Sequence, residues 1–251
     1  WIQQRFFTSF KNANLSSTLI IPHGVNKNVK INLLNKQKNI LFVGKLNHAK
    51  GYHIFSEAAL KFKKIDPTWN FIAIGNEARK EIFPEKSIVK EIGYKKNSDV
   101  LKYYSKSEIA IGNSVWDEPL GRIAIEASSR KCLPIISNKG GLAESKNIAI
   151  VLKENTSSEL TALLKKITKN KILRREKQKL FYKNNNFDIK TISKMLDRAR
   201  SNIIKNQNKI YLSEKKRILH IANFNENSDG RLFYSFANKL NNGFIKNNHI
   251  V

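Results

Sequence analysis

Ile40-Leu41-Phe42-Val43 runs into Gly44, and Gly51 then opens a segment in which Ile54, Ala58 and Phe62 recur at helical spacing. A short unbroken apolar run reads as a strand buried on both faces, and the spaced apolar positions read as a helix lying on it. The unit repeats along the chain. Phe71-Ile72-Ala73-Ile74 ends at Gly75, and Ser87–Ile92 ends at Gly93. Asp99–Tyr104 reads as a short helix, Ile109-Ala110-Ile111 as a strand and Gly121–Ser129 as a helix. Leu133-Pro134-Ile135-Ile136 and Ile148–Leu152 add two strands, and helices are expected at about 157–168, 172–182 and 189–206. Strands alternating with helices predict an α/β fold built on a doubly wound parallel sheet. Such sheets bind ligands beyond the carboxyl ends of their strands. The loops 44–51, 75–79, 93–98, 112–121 and 137–144 are therefore expected to line a site.

Outside this block the signals are shorter. Residues 1–14 read as an amphipathic helix with Phe6, Phe7 and Phe10 near one face. Thr18–Ile21 reads as a strand stopped by Pro22-His23-Gly24. After the helix ending near Asn206, Arg217–Ala222 reads as a strand, followed by Asp229-Gly230-Arg231 and an amphipathic helix through Leu240. The expected organisation is the end of a preceding domain at 1–26, a polar linker at 27–38, a ligand-binding domain at 39–206, a linker at 207–216 and the first βα unit of another α/β domain at 217–251. With Trp1 first and its single Met at Met195, the chain reads as a piece of a longer polypeptide.

Composition narrows the classes. In 251 residues, 41% hydrophobic content supplies a core, so wholesale disorder is excluded. A single Cys excludes a disulfide framework and a Cys-based zinc site. No apolar run reaches the roughly 18–20 residues of a membrane-spanning helix, and the opening residues show no signal-peptide pattern. Lys plus Arg is 46 against 20 acidic residues, a formal charge of +26. Such a charge invites a nucleic-acid reading. However, the lysines are spread evenly and no zinc-finger spacing, aromatic RNA signature or Gly-x-x-Gly loop accompanies them. No specific nucleic-acid partner is expected, whereas peripheral contact with anionic lipid fits the charge.

Three loops carry chemistry. Gly44-Lys45-Leu46, followed by Lys50-Gly51, can bring two ammonium groups and a helix N-terminus to one edge, an environment for a phosphate dianion. Each lysine could equally be solvated, like most others in the chain. Glu118-Pro119-Leu120-Gly121-Arg122, followed by Glu126, offers two carboxylates that can grip sugar hydroxyls through charge-assisted hydrogen bonds. Alternatively, Glu118 favours the positive helix end and Glu126 is solvated. Gly140-Gly141-Leu142-Ala143-Glu144 brings consecutive glycines to the same edge, or makes an ordinary turn.

In this order the loops resemble the donor domain of GT-B glycosyltransferases, especially the large retaining family four. Ile21-Pro22-His23-Gly24-Val25-Asn26 is similar to that family's entry into its domain linker. The resemblance covers roughly 18–205 and implies a Rossmann-like domain that binds a nucleotide sugar. It implies that Lys45 and Lys50 contact the donor diphosphate, that Glu126 holds the ribose and that Glu118 binds sugar hydroxyls. Gly121 and Arg122 would present backbone amides, the base would lie near Tyr94, and Gly140 and Gly141 would lie near the pocket. Glu118, Lys50 and Lys45 are the implied catalytic groups. Lys45 departs from the usual Arg and loses its bidentate fork, and Asn26 departs from the usual Asp. The tail from Ile218 resembles the start of a second such enzyme.

The expected activity is transfer of a sugar from a nucleotide sugar to a hydroxyl on a glycan or lipid-linked acceptor, in cell-surface glycan synthesis. The resemblance implies retention of configuration. No Asp-x-Asp triplet is present, so neither metal nor cofactor is expected. The expected location is cytoplasmic, on the inner face of the membrane where peripheral, and the piece alone is expected to be inactive. The alternatives are a sugar-nucleotide epimerase or a phosphorylase of the same fold, or a basic nucleic-acid- or membrane-binding module. His48 is expected to be solvated, Cys132 buried at a strand start, Tyr103 and Tyr104 to serve helix packing and surface, and Trp116 to pack rather than stack on a ligand.

Overall fold

In a computed structural model describing residues 21–78 and 88–207, the alternation becomes a six-stranded parallel sheet. The strands are β1 (Gln37–Val43), β2 (Asn70–Ile74), β3 (Val89–Glu91), β4 (Ser107–Gly112), β5 (Leu133–Ile136) and β6 (Ile150–Val151). The helices are α1 (Tyr52–Lys63), α2 (Asn97–Lys106), α3 (Arg122–Ser129), α4 (Ser157–Lys169), α5 (Lys171–Asn184) and α6 (Ile189–Gln207). Strand order is β3-β2-β1-β4-β5-β6. The winding reverses between β1 and β4, where such sheets open a crevice.

Each face of the sheet has its own core. Ile40, Phe42, Phe71, Ile109 and Ile135 pack with Phe55 and Phe62 of α1 and Leu160 and Leu164 of α4. Leu41, Ile72, Ile74 and Ala110 pack with Val100 and Tyr104 of α2 and Ala127 of α3. In register, Leu41 lies opposite Ile72 on one side and Ala110 on the other. Burial on both faces is why these strands read as continuous apolar runs.

The structure departs from the sequence reading where polar residues sit in regular elements. β1 begins at Gln37, inside the expected linker, because the backbone there pairs with β4 whatever the side chains are. That linker is also fixed at its other end. Val25 bridges Asp188, and Lys27 Nζ donates to Tyr182 O and Asn185 O at 2.8 and 2.5 Å. The third strand shortens to Val89–Glu91 and the sixth to Ile150–Val151, and Gly140–Asn147 is a 3-10 helix rather than a plain turn. The segments expected at 1–14 and 217–240, and nearly all of those at 18–21 and 207–216, lie outside the described residues. The chain divides into compact units Trp1–Ala199 and Arg200–Val251, and only the end of α6 is described in the second. Among the described residues, no helix is long and apolar enough to cross a membrane.

Lys36 closes the carboxyl end of α2. Its Nζ donates to the carbonyls of Tyr104, Ser105 and Ser107 at 3.0, 3.1 and 2.7 Å. Helix ends leave such carbonyls without intrahelical partners and carry partial negative charge. Burial pushes the ammonium down to about 8, against the opposing influence of Cys132 and Glu108. Lys36→Met keeps the aliphatic bulk and removes the donors. It is expected to destabilise the domain by about 1–3 kcal/mol, read as a lower urea midpoint at unchanged slope.

Candidate functional site

A cavity of about 430 Å³ opens where the winding reverses, at the carboxyl ends of β1 and β4. Gly44 and Lys50 come from the loop after β1, Tyr94, Lys95 and Asn97 from the segment after β3, and Ser114, Glu118, Gly121, Arg122 and Glu126 from beyond β4. Three of the five expected loops supply half of the lining, and strand ends and helix residues supply most of the rest. The fifth contributes Leu142, and residues 75–78 contribute none.

The loops after β1 and β4 are tied to one another before any ligand enters. Asn113 Nδ2 donates to Gly51 O at 2.9 Å, and Val115 N donates to Ala49 O at 3.0 Å. Asn47, itself buried, accepts from Lys50 N at 3.0 Å and so fixes the turn that carries the lysine. Lys50 and Glu118 thereby meet as an ion pair. Ser114 Oγ donates to the same carboxylate oxygen at 2.6 Å, and Lys50 Nζ stands 5.0 Å from the centroid of Trp116. Burial opposes ionisation of Glu118, but Lys50 and Ser114 outweigh it and hold the carboxyl below its ordinary value. The stability this contributes is present above the ordinary carboxylate pKa and is lost as pH falls through the lower folded value.

Glu126 sits farther into the cavity wall, with its side chain 10% exposed. Arg122 Nη2 lies 2.6 Å from Oε1, and Asn97 Nδ2 donates to the same oxygen at 3.0 Å. Gly121 precedes α3 with φ +67, and a Cβ there would run into Leu142. Only glycine lets the chain turn so tightly at this point. Neither α1 nor α3 has a side-chain cap on its first turn, whereas Thr156 and Asn170 cap α4 and α5. At α3, whose Arg122 and Ile123 line the cavity, this leaves the first turn available to an anion; at α1 the Tyr52 amide is already taken by Asn47 O.

Other expected site residues are placed differently. Lys45 is exposed and does not line the cavity, because Leu46 beside it takes the buried position. Gly140 and Gly141 do not line it either. Gly141 N donates to Glu118 O at 2.6 Å, and a Cβ on Gly140 would stand 2.5 Å from that same carbonyl oxygen. The two glycines therefore buttress the Glu118 loop from behind. Tyr94 lines the rim and is 71% exposed. Trp116 is 48% exposed, so it is a platform under Lys50 rather than core packing. His48 stacks on His53 with ring centroids 3.7 Å apart, and Cys132 is buried as expected. Ser114 and Asn97 were not found from the sequence, since neither belongs to a spaced motif. Among the described residues, no group of three or more His, Cys, Asp or Glu side chains could hold a metal ion.

Comparison with known proteins bears on the family and the fold. The model of the family described as "Glycosyl transferases group 1" matches residues 25–186, more than half of the chain. Spore coat protein SA of Bacillus subtilis is 30% identical over 135 residues, covering 47% of this chain and 36% of that protein. The crystal structure of HepE from Anabaena in complex with UDP-glucose superposes with a TM-score of 0.68 at 17% identity, covering 80% of this chain and 61% of HepE. The crystallised C-terminal domain of LpcC from Francisella tularensis, a group 1 family protein, superposes with a TM-score of 0.58 at 20% identity. All of that domain and 66% of this chain are covered. The chain thus spans about a third of the curated relative's length.

Proposed function

The chain belongs to the group 1 glycosyl transferases, and on that footing we propose that its cavity binds the nucleotide-sugar donor of a glycosyl transfer to an acceptor hydroxyl. The observation that carries the reading is the placement of the Lys50–Glu118 pair and Glu126 around one cavity at the switch point of the sheet. Lys50 and the uncapped first turn of α3 face a diphosphate, and Glu126 accepts from the ribose. Glu118, already ionised, accepts from the sugar hydroxyls. In the transfer, the bond between the anomeric carbon and the diphosphate oxygen breaks while a bond to the acceptor oxygen forms, and the acceptor's hydroxyl proton passes to the leaving diphosphate. Charge developing on the leaving diphosphate is met by donors already in place. Glu118 is held by Lys50 and Ser114, which suits a hydroxyl acceptor rather than a nucleophile, and no glycosyl-enzyme intermediate is proposed. Retention of configuration follows from the family-four resemblance. A metal-independent reaction follows from leaving-group stabilisation by Lys50 and backbone amides, and predicts turnover that survives EDTA.

UDP-sugars are the first donors to try, since HepE was crystallised with UDP-glucose. A glycan or lipid-linked acceptor at the cell surface fits the name of the spore coat relative, and contact with anionic lipid at the inner face of the membrane fits the charge of +26. Ligand-observed NMR tests the donor site, with nucleoside diphosphates and nucleotide sugars at about 0.15 M salt, where exposed charges are screened beyond roughly 8 Å. One nucleotide family is expected to bind selectively and to be lost in Glu126→Ala. Equal weak binding of every polyanion, unchanged in the variant, would sink the reading.

A further inference from the structure

Both contacts to the Glu126 carboxylate fall on one oxygen. Arg122 Nη2 and Asn97 Nδ2 reach Oε1 at 2.6 and 3.0 Å. Among the described residues, no hydrogen bond reaches Oε2. The carboxylate is otherwise nearly enclosed, and Asn97, Arg122 and Glu126 all line the cavity. A carboxylate in that position can rotate about its last torsion, a broad and weakly restricted one. Two donors on one oxygen fix that rotation and leave the second oxygen as an acceptor.

The two donors are not equivalent. The Arg122 side chain is 54% exposed and sits one helical turn before Glu126 on α3. It supplies charge from a long and mobile stem. Asn97 comes from another element, the first residue of α2, and its amide is short. It therefore fixes where the carboxylate points relative to the segment after β3 that forms the cavity rim. A helix start ordinarily favours an acidic side chain, and Asp99 in the same turn follows that rule. At residue 97 the neighbouring carboxylate requires a neutral donor instead.

We propose that Asn97 is a positioning residue for the ribose, turning Glu126 Oε2 toward the vicinal 2′- and 3′-hydroxyls and so setting the preference for ribonucleotides over deoxyribonucleotides. The assignment rests on the nucleotide-sugar reading above. Asn97 touches Glu126 and not the reacting atoms, so its signature is selectivity at the ribose.

The test is calorimetry on the full chain with UDP, GDP and ADP and the 2′-deoxy and 3′-deoxy form of each. The proteins are wild type, Asn97→Ala, Asn97→Asp and Glu126→Ala. Residue 97 is an exposed position at a helix start, so its variants fold. For the nucleotide that binds, wild type is expected to prefer the ribo form, and Asn97→Ala to lose about tenfold in ribo affinity with deoxy affinity unchanged. Asn97→Asp is expected to lose more than the alanine variant, because it sets a second carboxylate against Oε1. A merely structural role would give the opposite order, since aspartate stabilises a helix start. Equal losses for ribo and deoxy forms, no loss in either, or an aspartate variant better than alanine would overturn the proposal while the donor site stands. No binding of any nucleoside diphosphate by wild type would remove the donor reading and the proposal together.

Discussion

Glu108→Ala is expected to cost about 3–5 kcal/mol of stability and to lower the melting temperature by on the order of 10 °C. Glu108 is the second residue of β4 and 3% exposed, yet it is charged. Its carboxylate accepts from Arg175 Nη2 at 2.7 Å and Nη1 at 2.9 Å, a fork grip, and from Arg174 Nε at 3.3 Å and Gln178 Nε2 at 2.8 Å. All three partners lie on α5, so one strand carboxylate fastens that helix to the sheet. Arg174 is equally buried, and its Nη1 donates to Ile167 O and Thr168 O at 2.8 and 3.1 Å, at the end of α4. Removing the carboxylate leaves a buried guanidinium without its counter-charge, which is the costly step; a whole network replaced by apolar side chains is tolerated far better. Glu108→Leu combined with Arg174→Met and Arg175→Met is therefore expected to recover most of the loss. Thermal and urea unfolding of the single and triple variants reads both effects. A triple variant no more stable than the single would show that packing, and not charge, holds α5.

The same residue shows where the sequence was silent. Ile109-Ala110-Ile111 is apolar throughout and read directly as a strand, but Ser107 and Glu108 before it did not, because both are polar and the burial of Glu108 depends on partners some 66 residues away on α5. Gln37 and Asn39 concealed the start of β1 for the same reason: the backbone ladder needs no particular side chain. The site divides along this line. Lys50, Glu118, Gly121 and Glu126, which line the cavity, were legible because they lie in two continuous loop-to-helix stretches. Ser114 and Asn97 were not, since each acts on a carboxylate that another loop or element brings to it. Lys45 and the Gly140-Gly141 pair were legible as motif members, but which side of the loop they face is decided by local packing. Leu46 turns inward beside Lys45, and the two glycines press against the back of the Glu118 loop.

Lys50→Ala is expected to weaken nucleoside diphosphate binding by about 10–100-fold, the range for losing a hydrogen bond from a charged donor, while the parent nucleoside binds as before. Lys50 is the basic side chain that the fold carries into the cavity from the loop after β1, whereas Lys45 beside Gly44 stays outside. Its ammonium is held between the Glu118 carboxylate and the Trp116 ring. It is therefore placed before the ligand arrives, and little conformational entropy remains to be lost on binding. The variant has a second consequence that requires no ligand. Burial already works against ionisation of Glu118, and Lys50 is the chief opposing influence. Without it the carboxyl pKa rises, so Glu118 is expected to protonate at higher pH in the variant than in wild type, visible in an NMR titration of its side-chain carbonyl. Lys50→Arg keeps the charge but changes the shape, and is expected to restore most of the carboxyl shift and only part of the diphosphate affinity. If Lys50→Ala left diphosphate and nucleoside affinities in their wild-type ratio, the phosphates would lie away from Lys50, and the first turn of α3 would have to account for any binding that remained.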